Sequence, residues 1–89
     1  MPPELRARLQ LQARMHKCAL DDEDCDGRLE WHHAVIFGGS KLEVWWAVHA
    51  LCFYHHSIAD RKDIRAILVA LMHKLGGDEV KEYEKIKRL

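Results

Sequence analysis

The sequence predicts a small α+β domain in which a β-hairpin and its flanking helices are stapled by a bound metal. Three observations carry this. Two segments rich in bulky residues, "RLEWHHAVIF" at 28–37 and "LEVWWAVHALC" at 42–52, read as strands separated by the breaker "GGSK". Beyond residue 60 the apolar period changes: Ile64, Ile67, Leu68, Leu71 and Leu75 recur at spacings of three and four, one face of an amphipathic helix. The chain also has 89 residues with 3 cysteines and 7 histidines. A chain that short buries little surface, so a metal or disulfide staple is expected.

The elements follow in order. Pro2 and Pro3 precede good helix formers, and Leu5, Leu9 and Met15 form a loose apolar stripe, so a helix is expected over 3–17. "CALDDEDCDG" is an acidic, turn-rich loop bracketed by Cys18 and Cys25. The two strands form a hairpin whose loop lies around Gly38–Lys41. A helix over 60–75 is capped by the Asp60 and Asp63 arrangement, although it can begin as early as Phe53, and Gly76-Gly77 stops it. Asp78 caps a final helix over 78–88, with Val80, Tyr83 and Ile86 on its apolar face. The chain reads as one domain, 1–89, with its core at 18–62.

Apolar residues at 48% and charged ones at 31% are the balance of a folded chain rather than a disordered one. No apolar run is long enough to cross a bilayer, so no membrane partner is expected. The start, "MPPELRARLQLQ", lacks the apolar core of a secretory signal. The expected location is therefore a reducing cytoplasm, where cysteines serve as ligands more often than as disulfides. A net charge of zero gives no overall signature of nucleic-acid binding. Any basic patch is local: Arg6, Arg8, Arg14 and Lys17; Arg61, Lys62 and Arg65; or Lys81, Lys85, Lys87 and Arg88. For each of these a solvated helix face is the plain reading.

Cys18 and Cys25 are separated by six residues, and Cys52 precedes His55 in a C-x2-H pair. A tetrahedral zinc site takes four such donors, commonly as two local pairs brought together by the fold. Cys18, Cys25, Cys52 and His55 supply that set and would staple two loops at the base of the hairpin. The alternative is that Cys52 is a buried apolar cysteine and the other two are free or disulfide-bonded.

His55 as a ligand leaves its neighbour His56, together with the earlier pair His32 and His33. With "EWHHAV" in the first strand and "LCFYHH" at the end of the second, the chain resembles the HNH nuclease family, of ββα-metal fold. The likeness is to phage- and prophage-type members with an interleaved zinc knuckle, here with His55 at the knuckle's second cysteine. It covers 18 to about 62 of the chain. The resemblance implies a metal-dependent endonuclease that hydrolyses DNA. His33 would be the general base, and His32 and His56 would hold a divalent ion such as Mg²⁺, Mn²⁺ or Ni²⁺. It also implies a bacterial or phage-infected cell, and a unit this small suggests a homodimer or a protein partner for substrate recognition. The chemistry suits the residue types: a neutral imidazole titrates near pH 6.5, and a divalent ion stabilises the leaving oxygen.

Strict alternation sends His32 and His33 to opposite faces, so both serve one site only where the strand twists or bulges. The family's central Asn, which orients the base, is replaced by Ala47; His49, two positions on, is a possible substitute or simply a packed strand histidine. Glu30 shares a strand face with His32 and is either a supporting carboxylate or a solvated edge residue. Asp60, four residues after His56, either orients it or caps the helix. Trp31, Trp45 and Trp46 read as core, while His16 and His73 carry no message. Against the nuclease stand a catalytically degenerate, zinc-stapled DNA- or protein-binding module and a purely structural zinc protein.

Overall fold

The structure is a computed structural model that describes residues 1–34, 36–37, 40–41 and 43–87. Helix α1 spans Pro3–Gln10 and a 3-10 turn follows at Ala13–His16. Strands β1 (Leu29–His33), β2 (Ile36–Phe37), β3 (Ser40–Lys41) and β4 (Val48–Cys52) come next, with a second 3-10 turn at Trp45–Ala47. Helices α2 (Phe53–Ser57), α3 (Lys62–Gly76) and α4 (Asp78–Lys87) complete the chain. The architecture is a small α+β one with a two-stranded antiparallel sheet. No helix among the described residues is long and apolar enough to cross a membrane.

β1 and β4 pair antiparallel, from Leu29 opposite Cys52 to His33 opposite Val48. β2 and β3 pair as a separate short ladder, Ile36 opposite Lys41 and Phe37 opposite Ser40. The expected loop residues Gly38 and Gly39, the Ile86 side chain and Arg88 lie outside the described residues.

The second expected strand, 42–52, is interrupted by the 3-10 turn at Trp45–Ala47. In a strand, adjacent tryptophans would point to opposite faces of the sheet. The turn instead sends Trp46 into a cluster with Met72 and Val80 and seats Trp45 beside Leu9 and Val48. Trp46 Nε1 donates to Glu79 Oε2 at 3.0 Å, and the Arg8 guanidinium lies 5.0 Å from the Trp45 ring centre.

The helix expected over 3–17 likewise ends at Gln10. Met15 lies six positions after Leu9, which on one helix would set them about 120° apart. The break lets both pack against Val48 and Ala50. Arg14 holds the turn to the sheet, donating from Nη1 to the Val48 carbonyl at 2.8 Å and from Nη2 to the Trp45 carbonyl at 2.6 Å.

Residues paired across the ladder share a face. Trp31, Val48 and Ala50 cluster with Leu9 and Met15 of the N-terminal segment. On the opposite face Glu30 lies across from Leu51 and His32 from His49, and Leu51 packs with Ile64 and Leu68 of α3. β4 is buried along its whole length, which places any polar residue on it deep in the protein.

The expected Asp60–Asp63 cap is not what starts α3. Its N-cap is Arg61, which makes no side-chain cap and instead donates to Asp63 Oδ2 at 2.9 Å. Gly77 ends α3 at φ 52°, a left-handed conformation costly for residues with a Cβ. Gly27, at φ 84°, lies against Phe53, where an added Cβ would come within 2.5 Å of the phenylalanine Cβ. That close approach brings the acidic loop onto the start of α2, and Tyr54 N donates to the Asp26 carbonyl there at 3.1 Å.

Candidate metal centre and adjoining histidine pocket

Cys18, Cys25, Cys52 and His55 come together with all four donor atoms within 4.8 Å of one another, close enough to hold a metal ion. His55 Nδ1 lies 3.1 Å from Cys52 Sγ and 3.5 Å from the sulfurs of both Cys18 and Cys25. Each donor is delivered by a local device. Cys52 is the N-cap of α2, and its sulfur accepts the His55 backbone N–H at 3.4 Å, which closes the C-x2-H pair. Ala19 N donates to the Ala50 carbonyl at 2.8 Å, tying Cys18 to β4. Asp22 Oδ1 accepts Asp24 N at 2.9 Å and turns the loop so that Cys25 faces inward.

The same Asp22 oxygen lies 3.2 Å from His55 Nε2. A carboxylate there accepts the Nε2 proton, which leaves the Nδ1 lone pair toward the three sulfurs. Sequence reasoning passed over Asp22, one of five acids between residues 21 and 26. Burial alone would raise the Cys52 thiol, but the backbone N–H groups of His55 and Asp26 outweigh it and hold it at about 7. Burial raises Cys25 to about 11, with the neighbouring thiols of Cys18 and Cys52 adding to it against the Asp22 backbone contact. Burial lowers His55, yet the Cys52 and Cys18 sulfurs more than reverse this and raise it. Three thiols and one imidazole, all buried but the half-buried Cys25 and with one thiol poised to ionise near neutrality, are a donor set that suits zinc.

His56 points away from this cluster, because successive helical residues diverge by about 100°. Its Nδ1 lies 2.8 Å from Glu30 Oε1, and its ring meets that of His32 edge to face with centres 5.2 Å apart. Contact with His56 foremost, despite partial burial, holds the Glu30 carboxyl below the usual carboxylate range. An ionised Glu30 accepts a proton from Nδ1 and leaves the Nε2 lone pair of His56 for a ligand. Glu30 therefore supports His56 rather than facing solvent as an edge residue, and the carboxylate hydrogen-bonded to that imidazole is Glu30 rather than Asp60.

A pocket of about 220 Å³ opens beside these rings, lined by His32, His33, Ala59, Asp60, Arg65 and Leu68. His33, the last residue of β1, is paired with Val48 and so belongs to the other strand face. It borders the pocket with His32 because the strand ends there. His33 Nε2 lies 3.7 Å from Glu43 Oε1, which is itself 3.5 Å from the Met1 amino group. Glu43 is a second carboxylate that sequence reasoning did not single out.

Ala47 is fully buried and offers no polar side chain; its carbonyl accepts Ala34 N at 2.8 Å. His49 lies opposite His32, is 1% exposed, and its Nε2 has no hydrogen-bond partner among the described residues. Burial, then the charges of Arg14 and His32, lower its pKa to about 4. His16 bonds the Gln10 carbonyl, and His73 lies 2.6 Å from Glu84 Oε1. Compared with protein-family models, with curated proteins and with solved structures, the chain matches none.

Proposed function

We propose that the chain is a metal-dependent endonuclease of HNH type that hydrolyses DNA phosphodiester bonds at the histidine pocket. The observation that carries this reading is the convergence of the His32 and His56 rings beside a pocket that His33 also borders. Glu30 on the far nitrogen of His56 gives that imidazole the support a metal-binding histidine needs. His33 acts as general base, taking a proton from the attacking water, with Glu43 facing its ring in place of the family's Asn. Such a base contributes roughly 10²–10⁴-fold to the rate. Arg65, on the pocket wall, neutralises a phosphate oxygen of the substrate. His32 and His56 would hold a divalent ion, which would supply charge stabilisation at the leaving oxygen. Imidazole donors suit Mn²⁺, Ni²⁺ or Co²⁺ better than Mg²⁺.

In this reading Cys18, Cys25, Cys52 and His55 hold a structural zinc that takes no part in the chemistry, since four protein donors leave no open position. The neutral chain supplies little long-range attraction for DNA, so a second copy or a protein partner completes the grip on substrate.

Plasmid nicking with added Mn²⁺, Ni²⁺ or Mg²⁺, against a chelator control and His33→Ala, tests the proposal. Metal-dependent nicking that disappears in the variant is the expected result. The second reading, a zinc-stapled binding module with a degenerate site, is favoured by Ala47. It predicts zinc content and DNA or protein binding with no cleavage under any ion.

A further inference from the structure

A second cleft, about 420 Å³, lies where the end of α3 meets the N-terminal segment and β4. Its walls are apolar, built by Ala19, Ala50, Leu71 and Leu75. Arg14 sits in the same lining and is half-buried. Its guanidinium donates to three neutral acceptors, the Val48 and Trp45 carbonyls and Gln12 Oε1, and meets no carboxylate among the described residues. A guanidinium carries five N–H groups, so two remain for another acceptor. A positive charge fixed this firmly, partly desolvated and without a counter-charge, is stabilised by an anion.

Two further features agree. Lys17 and Lys74 add two further cations to the lining, and Asp21, the acid in it, is drawn to Lys17 at 3.7 Å, which leaves Lys74 without a carboxylate partner among the described residues. His49 also lines the cleft, and its ring is all but fully buried with Nε2 unpartnered among the described residues. A buried polar atom in that state is satisfied by a guest that brings a hydrogen-bonding group. Apolar walls with a few convergent polar groups are the composition of a small-molecule site rather than of a phosphate-backbone track, which is open and polar.

We propose that this cleft binds a small organic anion with an apolar body, a short-chain or aromatic carboxylate, with Arg14 and Lys74 receiving the charge. The site is separate from the histidine pocket and independent of the nuclease reading. The two are neighbours: His49 in one lies opposite His32 in the other, and α3 presents Leu68 to the histidine pocket and Leu71 to the cleft.

Titration of the ¹⁵N-labelled, zinc-loaded full chain with benzoate tests this, with benzyl alcohol and inorganic phosphate as controls. Benzoate is expected to shift the Ala19, Ala50 and Leu71 amides saturably, with a dissociation constant below about 1 mM. Benzyl alcohol and phosphate should each bind at least tenfold more weakly. Lys74→Glu, a change at an exposed rim position, should weaken benzoate binding about tenfold and leave the remaining spectrum unchanged. The proposal is overturned by any of four results: no saturation up to about 10 mM benzoate, an equal response to benzyl alcohol, an equal response to phosphate, or unchanged affinity in Lys74→Glu.

Discussion

His55 and His56 are adjacent in sequence and carry the same side chain, yet they sit in opposite kinds of site. His55 is buried among three sulfurs, while His56 is half-buried beside one other imidazole and an open pocket. Each is steadied in the same way, by a carboxylate on the nitrogen that faces away from its site: Asp22 on His55 Nε2, Glu30 on His56 Nδ1. The difference lies in the company each keeps. Four converging donors can saturate a tetrahedral ion; two imidazoles leave coordination positions open. A five-residue helix thereby feeds two neighbouring sites, because a step of one residue turns the side chain by about 100°.

The comparison can be broken at its strongest point. Cys52→Ala should release the metal and unfold the domain, since a closed site contributes its binding energy to folding. Circular dichroism with zinc quantification checks this, and a folded variant that keeps its zinc would show that the cluster is no staple. His33→Ala should do the converse on the proposed reading. Nicking falls roughly 10²–10⁴-fold while zinc content and melting temperature stay put.

Next in size is a pH effect from the residue between the two clefts. The folded-state pKa of His49, about 4, lies below its ordinary 6.5, so the unfolded chain takes up the proton first. Stability is untouched above pH 6.5, falls as pH drops through it, and the loss is complete below about 4. The difference corresponds to about 3 kcal/mol. His49→Leu removes this penalty, so its stability relative to the parent should rise across that window in chemical denaturation. A parallel pair of curves would disprove the assignment.

The finest discrimination uses the two supporting carboxylates. On the proposed reading, Asp22→Asn should weaken metal retention at the cysteine cluster roughly 10–100-fold and leave ion binding proposed at His32 and His56 alone, and Glu30→Gln should do the reverse. Competition with a chromophoric chelator and metal-dependent nicking read the two effects separately. Equal effects of both variants on both sites would mean that the sites are one unit.

The α+β class and the four-residue cluster were legible because spacing carries them: bulky runs around a glycine pair, a new period after residue 60, and C-x2-H at a strand end. Alternation placed Glu30 on the face of His32 but did not separate a supporting carboxylate from a solvated edge residue. Asp22 was not legible, since nothing in composition separates it from Asp21, Glu23, Asp24 or Asp26. Its contact with His55 Nε2 joins residues 33 apart in the chain, which spacing within the loop does not reveal. The breaks in the N-terminal helix and in the second strand were hidden for a related reason. Both come from long-range packing, Leu9 and Met15 on Val48 and Ala50 in one case and Trp46 on Met72 and Val80 in the other. Such contacts override a local pattern that reads as continuous. Asp60 looked like a helix cap because it precedes an apolar period, but the chain turns one residue later and leaves its side chain at the pocket.

Helix α2 has a consequence in time. Five residues are far too few for a helix to persist unaided. It is held at its start by the Cys52 sulfur on the His55 N–H and at its side by the thiols around the His55 ring. His56 inherits its position from that arrangement. On the proposed reading a chelator therefore works with two clocks. The first, fast and undone by fresh Mn²⁺, empties the exposed imidazole pair. The second is set by the opening of the buried cluster. Once it has run, His56 has no helix to sit on, and Mn²⁺ alone no longer restores the protein.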